Sequence, residues 1–583
     1  YFFNRLKNDI ERTATAENLL GDETFLSEKN ENRLSQNDNH RLNLTLRHEL
    51  DSFQNLIFRT RLGFNDAGYD SEGGSETFNS SGELENAGFR DYHSDGENLN
   101  LNSTLTYRRR FKRPGRAFVA DLTFGKNAIE RQGSLFSQNH YFNLPQPAAD
   151  TVRQRQNYDD NAMNYGATVS FTEPVGKREY LEIQASHQNY DNKTGKDFYD
   201  ILSGGEAFFN DDLSNRYTRN YIYDRGGVNL MVNRKKWNLT TGAALQNSSI
   251  ADHQAGERDK LEKNYTAVLP NLFFHFEPGL GRNFDLDYTT DLQEPSLEQM
   301  LPVVDNSDPL DTYEGNPDLR PEYSHDLRLH FMRFDQFTFT SFFATLNARF
   351  TKDRITNAST IDSLFRRHTM PVNVAHDLNL GSYLNFQTPL KFIKSTLKLT
   401  YNVNWNRGIL FVNDVENETD RLSNSLELSL ENRKKTRFDG QIGARLTHNS
   451  TAYSLSEALD QTYLNKLFFA DVKVFPSKKW EISSSLDYRI YSAESFGNEQ
   501  TIPIWRTSLT RYLLKNNRGQ LKLAAYDLLN KNLGVNRTSQ LNYVEEERIR
   551  SIGRYVMVTF AYSISGFDKA AGGIEIQMNE ERQ

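Results

Sequence analysis

The chain has 583 residues, of which 37% are hydrophobic, 25% charged and 12% aromatic, with no cysteine and a net charge of −8; its mean hydropathy is −0.72. That average is too polar for a large dry core, while so many Tyr and Phe exclude a disordered chain. Scattered basic residues argue against a nucleic-acid partner, and the lack of cysteine rules out disulfides and thiolate metal sites.

No apolar run of about 18 residues occurs, so a transmembrane helix is not available. Only a closed barrel, with every backbone group paired, could then cross a membrane. The chain opens at Tyr1 with neither Met nor an apolar signal segment, which predicts a fragment or processed product.

In chain order, period-two alternation begins at His40 to Arg47, where Leu42, Leu44 and Leu46 oppose Asn43, Thr45 and Arg47. Between Leu397 and Asn406, Leu397, Leu399, Tyr401, Val403 and Trp405 face one way and Lys398, Thr400, Asn402, Asn404 and Asn406 the other. Trp480 to Tyr491 sets Trp480, Ile482, Leu486, Tyr488 and Ile490 against Glu481, Ser483, Ser485, Asp487 and Arg489. Near the end, Val556, Val558, Phe560, Tyr562 and Ile564 oppose Tyr555, Met557, Thr559, Ala561 and Ser563. A soluble sandwich would alternate equally well.

The connections separate the two. Tight turns are predicted at Asp51-Ser52, Arg113-Pro114-Gly115, Pro174-Val175-Gly176, Arg234-Lys235-Lys236, Pro278 to Gly281, Arg433-Lys434-Lys435, Pro476-Ser477-Lys478 and Asn516-Asn517. Between them run long polar stretches, Asn65 to Glu97, Glu130 to Gln156, Thr194 to Arg216 and Leu292 to Glu322, which read as loops. Short periplasmic turns with long extracellular loops are the outer-membrane pattern. Aromatics soon after the turns, Phe118, Tyr180, Trp237, Phe284, Phe438 and Trp480, suit an interfacial girdle. The expected fold is all-β, an antiparallel transmembrane barrel of about 22 strands, the size of plugged outer-membrane transporters. The barrel would span residues 1–567, with 568–583 as a C-terminal periplasmic tail.

Candidate chemical sites are few. The twelve His form no metal-ligand pair. Asp305, Asp308, Asp311 and Glu314 could offer carboxylates to Ca²⁺ but lack the spacing of a calcium loop, so they read as a solvated loop. Lys434-Lys435 and Lys478-Lys479 read as solvated turns. With no nucleophile elbow, Walker loop or nucleotide fingerprint, neither catalysis, metal nor cofactor is expected.

One segment is distinctive: Glu294-Pro295-Ser296, Leu301 to Asn306, Pro309-Leu310, then Tyr313-Glu314-Gly315-Asn316-Pro317-Asp318-Leu319-Arg320-Pro321-Glu322. With Tyr526 to Asn532, Gly553 to Val558 and His40-Arg41-Leu42-Asn43, it resembles the barrel of TonB-dependent receptors of the outer-membrane β-barrel family over Tyr1 to Phe567. The family motif falls on Asn316, Pro317, Leu319, Arg320, Pro321 and Glu322. Its two prolines hold the preceding residues extended, so the loop enters the next strand rigidly. The resemblance implies a receptor that takes up a scarce extracellular ligand across the outer membrane, with a TonB-type energy-coupling protein as partner. Neither plug nor TonB box precedes Tyr1, so a plug is expected upstream or in trans. The rival expectation is a non-transporting scaffold in a larger outer-membrane assembly or export complex, beside a surface lipoprotein or other subunits.

Overall fold

A computed structural model describes residues 1–20, 23–142, 148–211, 213–254, 261–300, 302, 304–305, 310–362, 366–454, 460–492, 499–539, 543–550 and 553–563. The expected tail, 568–583, lies outside the described residues.

Alternation sorts the side chains to two faces. On the last strand, Val556, Val558, Phe560 and Tyr562 stand 57–67% exposed, while Tyr555, Met557, Thr559 and Ala561 are half-buried. Leu42, Leu44 and Leu46 are likewise exposed, as are Val228, Leu230, Leu245, Val268, Leu426 and Ile442 on other strands. Exposed apolar side chains repeated over so many strands make one broad apolar surface, whereas isolated ones would need no explanation. The opposite face is polar and internally paired. Asp487 is fully buried against Arg506, Arg349 pairs with Asp326, and Arg445 with Glu427.

Among the described residues, 27 strand segments join a single sheet. Neighbours pair antiparallel apart from two short parallel contacts, one of them Asp311–Tyr313 on Arg367–Thr369. Short turns at 50–53, 111–116, 175–178, 234–236, 280–281, 433–437, 478–479 and 514–518 coincide with the tight turns expected from the sequence. At two of them, Gly115 and Gly281 take positive φ, 87° and 69°, which an L side chain resists. Two further turns, 336–339 and 391–394, contain neither Gly nor Pro; there Phe339 and Lys394 carry the positive φ, 56° and 52°.

The long polar stretches require a correction. Asn65 to Glu97 is the upper part of a hairpin between strands Gln54–Phe78 and Leu84–Arg110, paired without a break from Gln54↔Arg109 to Thr77↔Asn86. Within Glu130 to Gln156, residues 130–141 belong to Ala117–Tyr141 and 148–156 to Ala148–Pro174, and much of Thr194 to Arg216 belongs to Glu179–Ile201 and Asn215–Asn233. A Gly-, Asn- and Asp-rich segment reads as loop by propensity, but a neighbouring strand supplies partners for its backbone whatever its side chains. Strands of 25 and 27 residues are much longer than the roughly 9–11 residues a bilayer needs. The excess stands as paired ribbon at the end opposite the short turns.

The first strand meets the penultimate one. Phe2–Leu20 pairs with Glu23–Glu49 on one edge and, from Glu11↔Arg550 to Asn18↔Tyr543, with Tyr543–Arg550 on the other. Arg12 bonds Glu547 across that seam. Tyr555–Tyr562 pairs with Gly519–Tyr526.

Candidate functional site: a segment docked on the inner wall

The exception among the long connections is Leu292 to Glu322. It leaves strand Arg282–Gln293 and returns to Glu322–Asp335, two short neighbours in register at Gln293↔Glu322. Between them the chain folds inward.

Its first turn is self-capped. Ser296 Oγ accepts the Gln299 amide (3.1 Å) and Gln299 Oε1 accepts the Ser296 amide (2.9 Å), the reciprocal pattern that satisfies two orphan donors at a helix start. The helix Leu297–Met300 buries both its ends. Arg219, from strand Asn215–Asn233, holds it in place: the guanidinium donates to the Pro295 carbonyl (2.7 Å) and touches Met300 Sδ (3.0 Å). Asp252 receives its other N–H groups at 2.8 and 2.6 Å. Both members of this pair are buried. A buried bidentate pair is strongly directional, so Arg219 fixes the segment's entry point.

Glu294 lies beside it, and burial raises its carboxyl above the usual carboxylate range, against a hydrogen bond from Tyr221 that lowers it. Further on, Asp305 pairs with Lys196 (2.9 Å), Asp311 with Arg367 (3.7 Å) and Glu314 with His368 (3.4 Å). Asp305 and Asp311, expected to be solvated, instead face cations of the wall, and Glu314 faces the His368 ring; Asp308 lies outside the described residues. No cluster of metal-ligating side chains occurs among the described residues.

The motif residues come together as one docking unit. The Asn316 amide donates to the Gln299 carbonyl (2.7 Å) and its side chain to the Pro371 carbonyl (3.1 Å), while Asn316 Oδ1 accepts the Asp318 amide (2.9 Å). Lys263 donates to the carbonyls of Pro317 and Leu319. Leu319, 1% exposed, packs with Met300 and Ile355. Asn373 accepts the Arg320 amide (2.7 Å) and donates to the Arg320 and Asp353 carbonyls (2.9 and 2.7 Å). Pro321 is buried. Glu322, also buried, accepts the Ile355 amide (2.7 Å) and Arg354 (2.9 Å). The motif therefore locks the segment onto Leu261–Gly279 before it and onto the strands that follow it.

The contacts reach much farther. Leu310 lies 3.3 Å from where a side chain on Gly88 would begin, and Lys196, Arg219, Lys263, Ile355 and Asn373 all sit on different strands. One short segment can touch so many strands only if the sheet curves around it. Sequence reasoning missed the wall partners, because Arg219, Lys263 and Asn373 are brought together by sheet curvature and stand in no recognisable local pattern. The Ser296-x-x-Gln299 cap was the one local signal available.

An apolar outer face, a polar inner face, short turns at one end and long ribbons at the other define an outer-membrane β-barrel. The chain belongs to the outer membrane protein beta-barrel family, whose model matches residues 109–562. Comparison with curated protein sequences gave no match. Similar solved structures include the siderophore receptor PirA from Pseudomonas aeruginosa (11% identity, TM-score 0.35, covering 94% of this chain and 80% of that one). The ferric preacinetobactin receptor BauA from Acinetobacter baumannii is similar at 9% identity and TM-score 0.42, over 95% and 81%. The hemophore receptor HasR of Serratia marcescens is similar at 11% and 0.41, over 94% and 81%.

Proposed function

We propose that this barrel is the membrane-spanning part of a TonB-dependent receptor that takes up a scarce ligand from outside the cell. In this reading the strand segments combine into 22 long strands. The seam closes by continuing the Glu11↔Arg550 register downward. A plug, upstream or in trans, works with a TonB-type coupling protein, and the protein is a transporter with no catalytic role.

One observation carries the reading: Asn316 to Glu322, the stretch that resembles the receptor motif, is docked on the inner wall by Lys263, Asn373 and Ile355. A scaffold would gain nothing from an ordered segment held inside its wall, whereas a gated pathway needs one.

The test is growth competition between a deletion strain and its parent under limitation of iron, phosphate, cobalamin or oligosaccharide in turn, with and without the coupling protein. A defect under one limitation, matched by loss of the coupling protein and not worsened by losing both, is the expected result. Equal growth throughout, with loss of another outer-membrane complex from the deletion strain, would establish the scaffold instead.

A further inference from the structure

A cavity lies between the upper ends of the first four strands and the docked segment, and its chemistry is lopsided. The register sets Arg12 opposite Glu31, Glu31 opposite Gly73 and Gly73 opposite Arg90, so these four form one row across four strands. The adjacent row runs Ala14, Lys29, Ser75, Gly88. Small residues thus make a floor, with Arg12 and Arg90 at its two margins and Lys29 beside Glu31 on the second strand. Arg33 joins them from the next row, and Arg367 enters beside Leu310 and Asp311 of the docked segment.

Five cations line this space against two acids, Glu31 and Asp311. Glu31 is already committed: it accepts Ser71 (2.5 Å), Tyr69 (3.3 Å) and Arg33 (2.9 Å). Arg12 has Glu547, and Arg367 has Asp311. Lys29 and Arg90 have no ion pair among the described residues, and the Nε of Arg90 is buried without a hydrogen-bond partner. Arg90 lies over the Tyr92 ring (5.1 Å) and Arg33 over Tyr69 (5.5 Å), so both guanidiniums are held in place by aromatic faces. A positive site with fixed, underused donors is complementary to negative charge and raises its local concentration.

We propose that this cavity binds a small multivalent anion, of the phosphate or polycarboxylate type, with Lys29 and Arg90 as its principal contacts. The inference rests on the reading of the barrel as a receptor, since it supplies that receptor with the chemical class of its ligand. Arg367 and Asp311 place the docked segment in the same cavity, so an occupant touches wall and segment together.

The test uses the purified full chain in detergent, titrated by calorimetry with inorganic phosphate, pyrophosphate and tripolyphosphate, with maltotriose as neutral control. Affinity should rise along the phosphate series and fall between about 50 and about 300 mM salt, as screening shortens. Maltotriose should not bind. Lys29→Gln and Arg90→Gln should each weaken tripolyphosphate about tenfold or more, the scale of one charge-assisted hydrogen bond, with Arg90→Lys in between. Lys478→Gln, at a short turn far from the cavity, should change nothing. Heat-modifiable migration on gels establishes that each variant is folded. Absence of binding, or affinity indifferent to Lys29→Gln and Arg90→Gln in folded protein, overturns the anion site. Growth data separate the two readings: binding without any uptake phenotype defeats the transporter and leaves the site, whereas a clear uptake phenotype with absent or variant-indifferent binding defeats the site and leaves the transporter.

Discussion

Leu319→Ala should loosen the docked segment while leaving the barrel standing. Leu319 is 1% exposed and packs on Met300 and Ile355, so truncation should cost about 2–5 kcal/mol. At about 1.4 kcal/mol per tenfold, the undocked population should rise by a factor of about 30 to about 4,000. Most of that cost falls on docking, because Leu319 lies on the segment and takes no part in any sheet ladder. Polar contacts oppose release: Arg219, Lys263 and Asn373 each hold a carbonyl or an amide of the segment, each worth about 0.5–3 kcal/mol net. The segment should therefore open more often without staying open. Amide hydrogen exchange read by mass spectrometry reports such local opening. Peptides covering 294–321 should exchange faster in the variant, with peptides from strand Thr340–Ile361 unchanged. Unaltered exchange in the segment would show that Leu319 does not hold it. Equal acceleration throughout the barrel would show that segment and wall open as one unit.

On the last strand, Val558→Arg should cost about 2–4 kcal/mol at the bilayer midplane and impair assembly, whereas Thr559→Arg, on the opposite face, should be tolerated; urea titration in vesicles compares them, and equal effects would refute the facing. If the seam closes by continuing its register, Phe3 faces Val558 at a spacing that suits a disulfide, and a chain with no native cysteine should give an oxidised Phe3→Cys/Val558→Cys cross-link with altered mobility on gels. Offset pairs cross-linking better would disprove that register. Glu294 has its carboxyl raised by burial, so the docked state holds a proton that the released state has lost, and docking weakens as pH rises from the ordinary carboxylate value through the raised one. Glu294→Gln should remove that pH dependence and slow exchange of 294–300 at neutral pH; an unchanged pH profile would count against it.

Most of the wall was legible in the sequence. Alternation from Val556 to Tyr562 gave the facing, and turns such as Arg113-Pro114-Gly115 announced themselves through Gly and Pro. The turns at 336–339 and 391–394 did not, because Phe339 and Lys394 adopt a left-handed backbone that their residue types rarely take. Hairpins such as Gln54–Phe78 with Leu84–Arg110 were hidden for a different reason. Pairing across a ribbon depends on the neighbouring strand, and Gly73 or Asp95 carries no trace of it in its own propensity. The candidate site was half legible: two prolines flagged Asn316 to Glu322, but its partners Lys263 and Asn373, and the row Arg12, Glu31, Gly73, Arg90, exist only once the register is known.

The bond from Arg12 to Glu547 joins residues 535 apart in sequence. Until the final hairpin has been synthesised and delivered, the first strand's outer edge has no partner, and each intermediate sheet presents two raw edges. Contacts of such separation slow folding, and unpaired edges invite aggregation. Nascent chains of this protein therefore depend on something that shields the Phe2–Leu20 edge until the last hairpin arrives, and any truncation short of residue 543 removes the strand that pairs with it.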